Sequence, residues 1–543
     1  MAPLELNDDV LRHVVSFLHG RDALQVALCS KYMCSIALPR VPAIAVCASP
    51  RELRETCAYM LSGNPLRAQY LEDLTISYLA FDYPVPEEPE IAQHMFSDYW
   101  DFSQARLIGD LLLQAPRKRR ITLERLHPCL HVDPRIGQAL ASMDQLVAAD
   151  LATIADATFA RLPPLNANLR WLRLGYFWEE DDELPGETKT LPPLLTVLGR
   201  YRHLHTLELW NFNPPAVGVR QYFSVDNMPS LPAVRNLRLC VSSVGALELV
   251  EFCPNLLDVD FTLSYDEPLV QLPDGPRWPS LRRLTLSTYR VIPWILNRVN
   301  GAKRLRITEK LGLGEEDEKG YINMLLRLLA QTSPIALSLS VKLQAAPMAF
   351  WDQVAELAPR LRTVELTVSL AAPSLANKNW LDTVPDALRP LPLVHLSVIV
   401  PRTVTVTQPP PRQGEVLECA ALDRQHYADA RAVEEQRAEA IAALPERLMA
   451  AILTLRLLST STAPPNRDNL EGRGQPYDEL ERVLRTCKPR EGDGKMDTKY
   501  WRVVGDGQQR YMQEVSAVSE EAERMRAVAD DVGLEGLLSQ PES

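Results

Sequence analysis

Nine short stretches of the chain share one pattern of apolar and polar positions. The clearest copy is LRRLTLSTY, which places Leu281, Leu284 and Leu286 among polar residues. Apolar residues at alternate positions predict a β-strand with one buried face. The other copies begin at Leu169, Leu204, Val234, Leu256, Ala302, Ile335, Leu361 and Leu393, and successive copies start 21 to 35 residues apart.

A second feature recurs in front of these stretches. Five copies follow a proline at the same place: Pro232, Pro254, Pro279, Pro359 and Pro392. Proline lacks an amide donor and disfavours the α conformation in the residue before it, so it separates a helix from an extended segment. Helix-like runs such as Val244–Cys253 and Phe350–Ala358 lie upstream. The chain therefore repeats a strand, a loop, a helix and a turn.

Repeats of this length with an L-x-x-L-x-L core resemble leucine-rich repeats. The resemblance predicts an irregular α/β solenoid over residues 41–405, with parallel strands on a concave face and helices on a convex face. Weaker copies within Leu71–Leu79, Arg119–Leu126 and Met143–Leu151 would be its first turns. The alternative is a set of unrelated βα units in an ordinary open sheet.

Residues 1–40 differ from the repeats and predict three short helices. Asn7 is a good N-cap for the first helix, which we expect Gly20 to end. Asp22 and Ser30 are candidate caps of the second and third helices, and Pro39 should stop the third. Three helices of this size cannot bury their apolar faces by themselves, so they need a partner chain or the rest of this one.

The N-terminal segment resembles the F-box. The positions that match the F-box pattern are Leu6, Asp9, Val10, Leu11, Val14, Phe17, Leu18, Asp22, Leu24, Ser30 and Lys31, and the departures from it are Asn7, Ala23, Cys29 and Met33. An N-terminal F-box followed by irregular leucine-rich repeats is similar to many fungal F-box proteins. The resemblance implies binding to the Skp-family adaptor of a cullin–RING ubiquitin ligase. The adaptor contacts that we expect are Leu6, Val10, Leu11, Val14, Phe17, Leu18, Leu24 and Leu28. The alternative is a helical cap on the solenoid.

Beyond residue 405 the pattern changes. Residues 406–520 begin with a proline-rich break and continue with a helix over Ala428–Leu444 that Pro445 should interrupt. A last repeat strand is predicted within Thr454–Thr462, and short strands that close the array within Tyr477–Cys487 and Lys499–Gly507. Ser519 is a candidate N-cap of a terminal helix, and residues 521–543 comprise that helix and a disordered tail.

The bulk composition narrows the class of protein. The 543 residues carry a formal net charge of −12, which argues against nucleic acid as the main partner. No apolar run reaches the length of a membrane-spanning helix, and the acidic N-terminus is unlike a signal peptide. Nine cysteines without close C-x-x-C pairs indicate reduced thiols. We therefore expect an intracellular protein of the cytoplasm, the nucleus or both, without membrane contact.

Motifs for chemistry are few. His127, Cys129 and His131 can bind metals, but no second ligand pair lies at zinc-like spacing. The basic run Arg117–Arg120 is either a localisation or phosphate-binding patch or, more simply, a solvated strand start. No nucleophile-elbow, zincin or phosphate-loop motif is present. We expect no catalytic residue, metal or cofactor.

The repeat strands also predict a surface for a target protein. On L-x-x-L-x-L spacing, the variable positions between the leucines face away from the core. Exposed arginines and aromatic residues dominate protein recognition surfaces. The target-binding candidates are Arg173, Tyr176, Trp178, Glu208, Trp210, Arg238, Thr285, Tyr289, Arg306 and Glu365. The alternative for the aromatic residues, which lie at the strand ends, is that several of them close the core.

The resulting hypothesis is a non-catalytic substrate receptor of an SCF-type (Skp–cullin–F-box) ubiquitin ligase. The F-box would bind the adaptor and, through it, a cullin, while the repeat surface holds an unknown protein substrate near a ubiquitin-conjugating enzyme. One alternative is a leucine-rich-repeat scaffold that binds partners without joining a ligase. Another is an enzyme with a pocket between the solenoid and the C-terminal segment, although no cluster of polar groups in the sequence points to one.

Overall fold

The computed structural model describes residues 7–62, 67–81, 100–166, 168–176, 190–216, 229–264, 276–312, 319–342, 348–369, 379–401, 417–463, 497–505 and 507–529. The chain divides into two compact units, an N-terminal unit, Met1–Trp278, and a C-terminal unit, Pro279–Ser543. In both units the strands follow one another in chain order.

The N-terminal unit is built on eight parallel strands, each paired with the next in the chain. They are β1 (Ile44–Cys47), β2 (Asp73–Ile76), β3 (Arg120–Leu123), β4 (Ala148–Ile154), β5 (Trp171–Tyr176), β6 (Thr206–Trp210), β7 (Asn236–Ser242) and β8 (Asp258–Leu263). The helices are α1 (Asp8–Ser16), α2 (Gly20–Cys29), α3 (Lys31–Ala37), α4 (Pro50–Met60), α5 (Ala105–Gln114), α6 (Leu126–Val132), α7 (Arg135–Ala141), α8 (Asp156–Arg161) and α9 (Leu191–Leu198). Short 3-10 helices span Leu38–Arg40, Arg67–Tyr70, Tyr78–Phe81 and Val244–Phe252.

The C-terminal unit also alternates strands with helices along the chain. Its strands are β9 (Leu281–Leu286), β10 (Ala302–Gly312), β11 (Ala336–Lys342), β12 (Thr363–Ser369), β13 (His395–Pro401), β14 (Leu457–Ala463), β15 (Asp497–Val504) and β16 (Tyr511–Val515). Its helices are α10 (Ile292–Ile295), α11 (Lys319–Thr332), α12 (Met348–Leu357), α13 (Asn379–Leu388), α14 (Leu417–Ala451) and α15 (Glu520–Ala529), with 3-10 helices at Tyr289–Val291 and Gly507–Gln509. Strands β9 to β14 are parallel, whereas β15 and β16 are antiparallel.

Alternation along each strand separates a core face from a polar face. In β5, Leu172 and Leu174 are buried, while Trp171 and Arg173 are partly exposed. Burial of each such leucine contributes about 1.5–3 kcal/mol, which holds the strands in this orientation. All nine stretches with the shared pattern form strands, and helices lie between most of them. The predicted α/β repeat architecture is therefore confirmed at this level.

Some predicted elements differ in the structure. The run Val244–Cys253 forms a 3-10 helix, and α14 passes through Pro445 instead of ending there. Leu444 and Leu448 on either side of this proline are buried, and that packing offsets the hydrogen bond that proline removes. The prediction of a strand within Lys499–Gly507 is confirmed by β15, whereas residues 477–487 lie outside the described residues.

The caps of the first helices agree only in part with the sequence prediction. Asn7 Oδ1 accepts a hydrogen bond from Asp9 N (3.3 Å), and Ser30 Oγ accepts one from Met33 N (3.1 Å), as predicted. The prediction for Gly20 is wrong, because α1 ends at Ser16 and Gly20 is the first residue of α2. Asp22 therefore lies inside the first turn of α2 and does not cap it.

Gly20 is required by a close approach between two parts of the backbone. A Cβ atom at position 20 would lie 2.8 Å from the carbonyl oxygen of Val41, which follows the turn Leu38–Arg40. The Arg40 side chain also donates to the carbonyl oxygen of Leu18 (3.1 Å). These contacts join the first two helices to the segment that leads into β1.

At the other end of the chain, β15 and β16 reverse the direction of the strands. Ser519 Oγ accepts a hydrogen bond from Ala522 N (3.1 Å), so the predicted N-cap of the terminal helix α15 is confirmed. Ala522 and Met525 of α15 pack with Tyr500 and Val515 in a small cluster separate from the main core.

The variant Gly20→Ala tests the close approach. We expect it to lower the free energy of unfolding by about 1–3 kcal/mol, because the added methyl group forces the backbone of Val41 to move. The control is Gly320→Ala in α11, where a Cβ meets nothing within 4 Å; it should raise stability by up to about 1 kcal/mol. Denaturant unfolding followed by circular dichroism measures both. A Gly20→Ala protein as stable as the control would contradict the packing described here.

Candidate functional site

The three N-terminal helices form a small core of their own. Val15, Ala27 and Ile36 are buried in it. Leu11 and Leu18, two of the predicted adaptor contacts, pack against this core and are only partly exposed. Leu6 lies outside the described residues.

The remaining predicted adaptor contacts expose apolar side chains. Phe17 is 73% exposed, Leu28 72% and Val14 51%, and Val10 and Leu24 are exposed as well. Tyr32 and Leu38 add apolar surface that the sequence reasoning did not select. Exposed apolar patches of this kind mark interaction sites on folded proteins.

Helical spacing places these side chains on shared faces. Val10 and Val14 lie on one face of α1, and Phe17, the C-cap residue with helical backbone angles, continues that face; Leu24 and Leu28 lie on one face of α2. The ring of His13 packs against Phe17 with 4.9 Å between centroids. The Tyr32 hydroxyl donates to the Asp8 carboxylate, which ties α3 to the first turn of α1. The apolar faces therefore belong to helices that the shared core and this hydrogen bond hold in place relative to one another.

The second candidate site is the polar face of the sheet in the N-terminal unit. The register brings one charged residue from each of five neighbouring strands into a single row, here called the charged ladder: Asp150, Arg173, Glu208, Arg238 and Asp260. Neighbouring strands lie about 4.8 Å apart, so each charge faces an opposite charge on the next strand. Arg173, Glu208 and Arg238 were selected from the sequence, whereas Asp150 and Asp260 were missed.

Two of the three acids of the ladder, Asp150 and Glu208, are buried beneath arginines. Arg173 Nε and Nη2 donate to the two oxygens of Asp150, each at 2.6 Å. Glu208 Oε1 accepts hydrogen bonds from Arg238 Nη1 and Trp171 Nε1, both at 3.1 Å. The Asp150 side chain is 7% exposed and that of Arg238 is 53% exposed. Asp260, the third acid, is partly exposed, whereas the other four residues present mainly guanidinium groups to solvent.

Two tryptophans flank the ladder on the same face. The Arg120 guanidinium lies 5.5 Å from the centroid of the Trp171 ring, and that of Arg173 lies 5.6 Å from the Trp210 centroid. Trp210 is 42% exposed. Arginine and tryptophan side chains held in this way are the residue types that anchor protein interfaces. Trp171 comes just before the second leucine of its repeat, and this position also faces away from the core. The sequence pattern could therefore have identified Trp171 as a further candidate.

Two predicted target-binding tyrosines lie in the core instead. Tyr176 is the last residue of β5 and continues the alternation of Leu172 and Leu174, so its ring packs against Phe212 with 5.0 Å between centroids. Burial raises the pKa of Tyr176 well above its usual value. Tyr289 begins a 3-10 helix and is also buried. Trp178 lies outside the described residues.

The equivalent row in the C-terminal unit carries mostly hydroxyl groups. Its members are Thr285, Arg306, Ser338, Glu365, Ser397 and Ser459. The predicted residues Thr285, Arg306 and Glu365 thus belong to one row. Glu365 accepts a hydrogen bond from Arg304 Nη2 (3.5 Å), and the Arg304 side chain is almost buried. This face is polar, but it bears fewer charges than the charged ladder.

A buried polar pair lies beside this row. Thr363 and His395 are register partners on β12 and β13, and both are almost fully buried. Thr363 Oγ1 and His395 Nδ1 have no hydrogen-bond partner in the part of the chain that the structure describes. Burial, with a smaller effect of the Arg304 charge, lowers the pKa of His395 to about 4. His395 is therefore neutral near pH 7.

Other sequence candidates do not assemble into a site. Cys129 is buried within α6, and the described residues contain no group of three side chains arranged to hold a metal ion. In the basic run, Lys118 is buried and its amine donates to the carbonyl oxygens of Leu112 (3.3 Å) and Ala115 (3.2 Å) near the end of α5. The run is thus not a continuous solvated patch. Among the described helices, none is both long and apolar enough to cross a bilayer.

No family model matches the chain, and no curated protein matches it. The apolar faces of the N-terminal helices and the polar faces of the sheet are therefore the features that bear on function.

The charged ladder predicts unequal effects of two arginine substitutions. Burial raises the pKa of Asp150, and Arg173 only partly opposes this shift, so Arg173→Leu leaves a buried acid without its partner. We expect a loss of about 3 kcal/mol in the free energy of unfolding. Arg238→Leu should cost about 1 kcal/mol or less, because Arg238 is half exposed and Glu208 keeps Trp171. Equal losses in denaturant unfolding would contradict this geometry.

His395 predicts a stability change in acid. The unfolded chain binds the proton near the usual pKa of 6.5, but the folded chain only near 4. The unfolded state therefore binds more protons between these values, and the folded state loses stability as the pH falls through this window, by about 3 kcal/mol. The variant His395→Gln lacks this group, so the difference in unfolding free energy from wild type should change below about pH 6.5 and be constant above about pH 7.5. A difference that does not depend on pH would refute the assignment.

Proposed function

We propose that the chain is a non-catalytic substrate-recognition subunit of an SCF-type ubiquitin ligase. Its N-terminal helices act as an F-box that binds a Skp-family adaptor and, through it, a cullin. The repeat strands bind a target protein. The observation that carries the proposal is the exposed apolar surface of α1 and α2, which coincides with positions where the F-box resemblance implies adaptor contacts.

The energetics of this surface make binding sensitive to the loss of single contacts. The five side chains are 40–73% exposed, so burying their remaining surface contributes about half of 1.5–3 kcal/mol each, or about 4–8 kcal/mol in total. Association itself costs about 4–15 kcal/mol in lost freedom of motion. The two figures are of similar size, so the loss of two central side chains should be enough to abolish binding. Val14 and Phe17, which are adjacent on α1, are the natural pair to test.

The polar faces supply the target-binding part of the proposal. Arg173, Trp210 and Arg238 offer exposed donors and an aromatic ring on strands whose positions the core determines. In a leucine-rich-repeat solenoid these strands would line a concave surface. The role of the chain is positional: it holds the target near a ubiquitin-conjugating enzyme and raises its effective concentration, and no chemistry takes place on this chain.

Co-expression with a Skp-family adaptor, followed by pull-down, tests the proposal. Wild type should capture the adaptor, and the double variant Val14→Asp with Phe17→Asp should not, because it places two charges in the apolar contact. The matched control is Leu453→Asp, which introduces a charge at a side chain that is 76% exposed elsewhere in the chain. The control should bind as wild type does.

Failure of a soluble, folded wild-type chain to capture the adaptor would contradict the ligase assignment. The N-terminal helices would then be better described as a cap, and the chain as a repeat scaffold that binds partners outside a ligase.

A further inference from the structure

The turns that precede β5, β6 and β7 place basic residues next to one another. His205 N donates to the carbonyl oxygen of Arg170 (2.8 Å), and Arg235 N donates to that of His205 (2.9 Å). These three residues therefore occupy the same position on three neighbouring strands. With the other basic residues of these turns they form a set that we call the basic edge: Arg170, Arg200, Arg202, His203, His205 and Arg235.

The basic edge has no acidic residue of its own. Residues 162–170, 199–206 and 229–236 contain no aspartate or glutamate, although the whole chain has 70 aspartates and glutamates against 58 lysines and arginines. All six side chains are exposed, and none forms an ion pair with an acid in the part of the chain that the structure describes. Arg235 Nη1 donates to the carbonyl oxygen of Asn255 (3.0 Å), a neutral acceptor that does not cancel the charge of Arg235. The edge is thus a local excess of positive charge on an acidic protein.

The turn before β6 holds its arginines in place. Tyr201 lies between Arg200 and Arg202 and is buried, and this burial raises the pKa of Tyr201 to about 12. The next residue of the row is apolar on either side, since Val147 precedes β4 and Leu257 precedes β8, and beyond Val147 the row continues with Arg119 before β3. The six residues of the basic edge therefore lie on three successive strands, and two of them flank the buried Tyr201.

Such a row is unfavourable in the isolated chain. Arg170 and Arg235 flank His205 at two strand spacings, about 10 Å apart, with Arg200 and Arg202 on the turn before β6, and exposed like charges gathered in this way repel one another. We infer that the basic edge is a docking surface for an extended acidic segment, rich in aspartate and glutamate, of a partner protein. Carboxylates from such a segment would pair with the guanidinium groups and remove the repulsion. The inference holds whether or not the chain joins a ubiquitin ligase.

A short acidic peptide fits the edge better than a nucleic acid does. The six residues of the basic edge span about 10 Å across three strands, which matches a few carboxylates of an extended segment. The net charge of −12 repels a long polyanion once it extends beyond the edge. Surfaces for single-stranded nucleic acids also expose aromatic rings for base stacking, whereas Tyr201 is buried.

Fluorescence anisotropy with a labelled peptide of ten glutamates tests the inference on the full chain. Wild type should bind the peptide at about 50 mM salt and more weakly at about 300 mM, because exposed charges are screened. Arg170→Glu with Arg235→Glu should weaken binding about tenfold or more. The control, Arg327→Glu with Arg360→Glu, makes the same change in net charge at exposed residues of the C-terminal unit and should bind within about twofold of wild type.

Three results would overturn the inference. They are no binding to wild type at the lower salt concentration, equal weakening by the control, and tighter binding of a single-stranded RNA of equal charge than of the peptide. The melting temperature checks that the variant is folded and should equal or exceed that of wild type, because charge reversal relieves the repulsion. If the reversed variant does not fold, Arg170→Gln with Arg235→Gln takes its place, with an expected loss of about threefold.

Discussion

The burial of alternate apolar residues along parallel strands is the constraint on which the other features of this molecule depend. Once Leu172 and Leu174 face the core, Arg173 between them must face the other way. Since the leucines of neighbouring strands are in register, the residues between them are in register too. A slip of one residue would move every polar side chain into the core, so the packing of the leucines also determines the order of charges on the polar face.

That order has physical consequences for recognition. In the N-terminal unit each acid of the charged ladder lies beneath or beside an arginine. The face therefore carries charges without a large local excess of either sign. The guanidinium donors and Trp210 remain accessible to a partner. The equivalent face of the C-terminal unit offers mainly hydroxyl groups, with Arg304 and Glu365 already paired. The same backbone arrangement thus presents two different chemistries on its polar faces.

Much of the fold could be predicted from the sequence because the leucine pattern is local and recurs nine times. Contacts between strands could not, since Asp150 and Arg173 are 23 residues apart and Trp171 and Glu208 are 37 apart. Gly20 was assigned to the wrong role because its requirement comes from Val41, a tertiary neighbour.

The side-chain directions were only partly predictable. For Tyr176 the sequence left open both a target-binding and a core position, and the alternation of its own strand points it inward. The basic edge was missed for a different reason. Its members look like isolated surface arginines along the chain, and only the register of the strands shows that they are neighbours.

In the proposed function, an adaptor covers the apolar faces of α1 and α2. Isothermal titration calorimetry of a purified Skp-family adaptor into the full chain, repeated at several temperatures, tests it most directly. We expect one adaptor to bind per chain. The heat capacity change of binding should be negative, because apolar surface is removed from water. An absence of binding by the folded chain, or binding without a change in heat capacity, would contradict the proposed function.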